Sequence, residues 1–187
     1  MSRAYRIKVR ETLRRVFRAK DGVSTQLELL EILPPEQMAE LLAEELGRRG
    51  YERDGDSASK TLEGGIKVIV NIQTGTVQVQ VEECTEKELE AEQEGVVFDE
   101  QPTQRERQLR EAARQKLDKQ AEQQAAQLQE EVTKRLENVL GDLRKELDQA
   151  VNRVTAEALK KKAAQLGQIK ELSEDQEQGT LTIVVEV

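Results

Sequence analysis

The side chains that could do chemistry in this chain are carboxylates, one thiol and clusters of cations; none of the 187 residues is histidine. Without imidazole, the commonest general base is missing, and so is a donor for most nucleophile–base pairs and most zinc sites. Acid pairs such as Glu82-Glu83 and Glu130-Glu131 are frequent. Two carboxylates share acid–base work only when they face one another across a cleft, and nothing in the sequence sets two of these so. Cys84 stands among Glu82, Glu83 and Glu86, whose charge opposes a thiolate and favours an inert role. Glu63-Gly64-Gly65 lacks the downstream Lys-Ser/Thr of a phosphate loop and reads as a turn. We therefore expect no catalytic residue, no cofactor and no metal ligand.

The cations are placed unevenly. Residues 1–20 hold eight bases and one acid, Glu11, whereas residues 82–100 hold nine acids and one base, Lys87. Solvated faces are the plain reading. The sharper one is a basic surface, Arg3, Arg6, Lys8, Arg10, Arg14 and Arg15, that docks on an acidic partner or on the chain's own acidic segment. Lys160-Lys161-Lys162 closes a helical pattern, where cations compensate the helix dipole. A net charge of −8 and 2% aromatic residues argue against nucleic-acid binding. A nucleic-acid or anionic surface bound by the first strand is kept as the last alternative.

Elements must carry these residues. Tyr5, Ile7 and Val9 alternate with Arg6, Lys8 and Arg10, the period of a half-buried strand. Lys20-Asp21-Gly22 looks like a turn, so Tyr5 to Leu33 reads as a long antiparallel hairpin, with a helix over Glu11 to Ala19 as the competing reading because Leu13, Val16 and Phe17 also fit helical spacing. Pro34-Pro35-Glu36 opens a helix with the stripe Met38, Leu41, Leu42, Leu46, and Gly50 caps it. Residues 51–65 read as loop with a short edge strand near Lys60. Ile66 to Ile72 and Val77 to Val81 alternate around Gly75 and form a second hairpin. Gln168 to Val187 forms a third.

Thr103 to Leu166 is free of proline, with apolar residues in 3-4-4 steps: Ala125, Leu128, Val132, Leu136, Val139, Leu143, Leu147, Ala150, Val154, Ala158. Three steps make an 11-residue repeat, the pattern of a nearly straight helix. At about 1.5 Å per residue it would run about 96 Å. Gly141 is its one weak point, so a bend there is the alternative to a continuous helix. We expect the half beyond Val139 to pack on the chain's own sheet. The alanine-rich half, Leu109 to Val132, should be exposed, frayed or paired in an oligomer. The stripe Leu128, Val132, Leu136, Val139, Leu143, Leu147 and Val154 is the candidate partner-binding surface.

The fold expected is α+β: a small antiparallel sheet built from hairpins in the order ββ-α-ββ-α-ββ, with a short helix and one long projecting helix. Residues 1–82 form an α+β part, 83–102 an acidic linker, 103–166 the long helix, and 167–187 a hairpin that joins the first sheet. One cysteine and no signal or membrane span fit a cytoplasmic protein.

Three strings carry a resemblance: Ser2 to Glu11, Leu29-Leu30-Glu31-Ile32-Leu33-Pro34-Pro35-Glu36, and Ala158-Leu159-Lys160 through Val187. They resemble the FtsH ternary system domains, a bacterial accessory family found beside an FtsH-like AAA+ ATPase in conflict systems. The resemblance implies a non-enzymatic adaptor in an ATPase-centred assembly, with no active-site residues to carry over. Its partner would be a protein, the FtsH-like ATPase being the one the family suggests. A homo-oligomeric coiled-coil scaffold is the alternative.

Overall fold

A computed structural model describes residues 4–98, 102–175 and 180–186. The order is β1 (Ala4–Gln26), α1 (Pro35–Arg48), β2 (Glu52–Asp54), β3 (Ser57–Thr61), a 3-10 turn (Glu63–Gly65), β4 (Lys67–Asn71), β5 (Thr76–Phe98), α2 (Pro102–Leu166), β6 (Gln168–Asp175) and β7 (Thr180–Glu186). The fold is α+β. Five strands form an antiparallel sheet in the order β1-β5-β4-β3-β2, and β6 and β7 form a two-stranded sheet of their own.

The chain divides into two compact units, Met1–Asp21 with Glu82–Lys134, and Gly22–Val81 with Arg135–Val187. The second holds the larger core. Val68, Val70, Val77, Val79 and Val81 are buried at 0–1% exposure, with Ile66 and Ile72 beside them. Strands β4 and β5 pair Val68 with Val79 and Val70 with Val77, as the alternation requires. Their turn is fixed by Asn71, whose Oδ1 accepts from the backbone N–H of Gln73 (3.0 Å) and Thr74 (2.9 Å). Gly75 then takes a positive φ of 71°, which costs glycine little. Helix α1 starts on Pro35 and buries Met38, Leu41, Leu42 and Leu46. Residues 51–65 are more ordered than expected: β2 and β3 pair antiparallel, Arg53 facing Ala58, and Ala58 is buried.

The first unit is a two-stranded ribbon with a helix. Residues 4–21 of β1 lie beside residues 82–98 of β5, and residues 102–134 belong to α2. Odd-numbered residues form the covered face: Val9, Phe17 and Ala19 of β1, and Ala91 and Val97 of β5, are buried. Leu109, Ala113, Leu117 and Ala121, four residues apart on α2, are 0–7% exposed. Ala91, Ala113 and Leu117 form one cluster, with Leu13 and Leu89 packed on it.

Four expectations change. Lys20-Asp21-Gly22 is not a turn, because β1 runs through it. A Cβ on Gly22 would come within 2.9 Å of the Val79 carbonyl oxygen, so this glycine serves close approach of strands rather than reversal. Residues 83–98 are not a linker but the far half of β5, where acids occupy the open face and Leu89, Ala91 and Val97 the covered one. In the alanine-rich half of α2 the row Leu109, Ala113, Leu117 and Ala121 is accordingly buried, since small side chains let helix and ribbon approach closely, while Ala125 is exposed. A Cβ on Gly95 would meet Leu109 Cδ1 at 2.9 Å. Among the described residues the last hairpin pairs only with itself and does not join the five-stranded sheet. Helix α2 runs without interruption through Gly141.

Candidate interaction site

The partner-binding stripe is assembled as a row and then covered by the chain itself. Val132 is fully buried in the first unit; Leu136, Leu143, Leu147 and Val154 are 1–4% exposed in the second. Leu128 and Val139 are half-buried. The row is therefore core, and its 3-4-4 spacing records intramolecular packing.

The basic surface meets the chain's own acidic segment. On the open face of the ribbon, Lys8 pairs with Glu92, and with Glu94 at 3.6 Å; Arg10 pairs with Glu92 at 3.4 Å and Arg14 with Glu86 at 3.0 Å. The partners descend along β5 as they ascend along β1, the signature of antiparallel strands. Arg6 and Arg15 are exposed, and Arg3 lies outside the described residues. Such pairs are solvated and worth little each, about 0.2–1 kcal/mol. Their consequence is that much of the positive field of residues 1–20 is cancelled locally. Cys84 is exposed on this same face.

A polar cluster ties the elements of the second unit. Glu45 is buried, and its carboxylate accepts from Arg49 at 2.8 Å and pairs with Arg48 at 3.5 Å. The Arg49 guanidinium also donates to the Glu146 carbonyl (3.1 Å), while Lys60 Nζ donates to Glu146 Oε1 (3.0 Å). Lys60 stands 5.2 Å above the Tyr51 ring, and the Tyr51 hydroxyl is buried with no hydrogen-bond partner among the described residues. Burial first, then the Glu146 carboxylate, push this phenol above its ordinary range, with Arg49 opposing. These charges are spent on joining α1, β3 and α2. Among the described residues no group of three His, Cys, Asp or Glu side chains is placed to hold a metal ion.

What remains open is a groove of about 770 Å³ between the end of β1, the start of β5 and α2. Val23, Leu27, Val77, Val79, Leu140 and Val151 give it an apolar lining, and Arg144, Asp148, Asn152 and Glu28 stand at its polar positions. Val23 is 39% exposed, and Leu140 and Val151 are half-buried. Neither helix residue belongs to the 3-4-4 row. They stand 11 positions apart, one place along from Val139 and Ala150, so they share a flank of the helix. The apolar doublets Val139-Leu140 and Ala150-Val151 were the signal: they widen the stripe beyond what one seam needs.

An α+β fold whose open features include an apolar groove, a charged ribbon and a partly exposed hairpin, with its titratable cluster spent on packing, is the class the geometry defines. More particularly, a family model described as FtsH ternary system domain X5 matches residues 1–187, and the chain belongs to that family. No curated protein and no solved structure matches it. No helix among the described residues is long and apolar enough to cross a membrane.

Proposed function

We propose that this protein is a non-enzymatic, cytoplasmic accessory subunit of an ATPase-centred bacterial assembly, and that it binds its protein partner in the groove between β1 and α2. The observation that carries the reading is the groove itself. It leaves Val23 exposed and Leu140 and Val151 half-buried beside a 3-4-4 row that is otherwise largely covered, and open apolar grooves with a few polar groups are where protein segments dock. The family adds the kind of partner: its description names an FtsH ternary system. The occupant that fits is an apolar row of the FtsH-like ATPase, flanked by groups that pair with Arg144 and Asp148. Neither of these two has a salt bridge within the groove. Nucleic acid fits less well, because Lys8, Arg10 and Arg14 already face carboxylates.

The test is binding of the full chain to the FtsH-like ATPase of its own system, by calorimetry. Val151→Glu and Leu140→Glu introduce a charge on half-buried flank positions. Each should weaken binding by about tenfold or more, which is about 1.4 kcal/mol, with the melting transition of the isolated chain little changed. Unaltered binding by both variants would exclude the groove. No binding by the natural chain would remove the proposed partner.

A further inference from the structure

We propose that β7 is the edge at which two copies of this chain join, strand to strand, to make a four-stranded antiparallel sheet. Among the described residues, strands β6 and β7 pair only with each other, and a lone two-stranded hairpin is marginal in water. Its apolar residues remain open to solvent: Leu172 is 45% and Val184 43% exposed, and Leu181, Ile183 and Val185 are only half-buried. The two outer edges differ. Strand β6 carries Lys170 and Glu171, the kind of charge that blunts an edge. Strand β7 reads Thr-Leu-Thr-Ile-Val-Val-Glu, six β-prone residues without charge before Glu186. Left open, such a strand recruits other strands.

A second copy of β7 is the occupant that fits, because the strand complements itself. Aligned antiparallel over its whole length, Ile183 faces Ile183 of the second copy and Leu181 faces Val185. Thr182 then faces Val184, and Glu186 faces Thr180. On the face of Ile183 apolar residues meet apolar residues, no like charges oppose on either face, and every contact is repeated by the two-fold axis, as an isologous dimer requires. This inference is independent of the groove and of the ATPase.

Sedimentation equilibrium of the full chain should give twice the 21.2 kDa of one chain at about 100 μM. Ile183→Lys sets two cations against each other and should weaken dimerisation by about tenfold or more. The alignment is read separately in a Cys84→Ser background. Ile183→Cys should oxidise to a disulfide-linked dimer, because opposed residues stand about 5 Å apart. Leu181→Cys should not, since its two copies lie about 13 Å apart along the strands; adding Val185→Cys to it should restore the crosslink. The cysteine variants leave the edge uncharged, so they decide the matter even where Ile183→Lys disturbs the hairpin. A monomer at all concentrations, or equal crosslinking at positions 181 and 183, would overturn the proposal.

Discussion

At the scale of single residues the chain uses its unusual groups for packing. Tyr51 is the clearest case. It is 5% exposed, its hydroxyl has no partner among the described residues, and its ring lies under the Lys60 ammonium. A buried hydroxyl that donates to nothing costs about 1–3 kcal/mol of desolvation. Tyr51→Phe keeps the ring and the cation–π contact and removes that cost, so it should stabilise the fold by about 1 kcal/mol at neutral pH. The pH dependence gives a second readout. The phenol is raised above its unfolded value near 10.0, first by burial and then by Glu146. A raised value means the folded state holds the proton longer than the unfolded state. Stability is thus fully present below pH 10 and declines above it, as the unfolded phenol ionises first. Urea titrations at about pH 7 and about pH 11 should show that decline in the natural chain and a smaller one in Tyr51→Phe. Equal slopes, with no gain at neutral pH, would mean that the hydroxyl is satisfied by solvent.

Helix α2 shows at the scale of elements what patterning could and could not tell. Its extent and its continuity were legible, because 3-4-4 spacing without proline leaves few other solutions, but not that the chain itself covers most of the row. Nor was the partner of that row. Leu89, Ala91 and Val97 sit in a segment so acidic that its covered face is hidden by its open one, and an alternation of Glu with Leu, Ala and Val resembles a linker. The groove was illegible for the converse reason: Leu140 and Val151 lie beside the seam, and a pattern fitted to one row discards its neighbours. Gly141 is where the sequence admits a bend, and helix α2 continues through it without interruption. A Cβ there would meet nothing within 4 Å, and glycine in a helix costs about 0.5–1 kcal/mol relative to alanine. Gly141→Ala should therefore stabilise the chain by about that amount in chemical denaturation. Loss of stability would show that the position needs glycine's freedom.

The two units differ across the whole molecule in what holds them. In the second, Leu42, Leu46, Ile66, Val68, Val70 and Val77 are fully buried and surrounded by branched side chains. In the first, the seam between helix and ribbon centres on Ala91, Ala113, Leu117 and Ala121, with Val9, Phe17, Val97 and Leu109 also buried, and its open face is joined by exposed ion pairs. Burial contributes about 25 cal/mol per Å² of apolar surface, so an alanine seam holds far less than a leucine–valine core. Proteins open first where buried apolar contacts are few. Amide hydrogen exchange should therefore be faster in residues 4–21 and 82–98 than in residues 66–81, although β5 is one strand through both. Ala113→Glu sharpens the test, because a carboxylate at a position with 0% exposure cannot keep helix and ribbon in contact. It should raise exchange throughout the first unit and leave amides 66–72 and 77–81 protected. If those amides lose protection to the same degree, the chain opens in one step, and the alanine seam is as much a part of the cooperative core as the valine sheet.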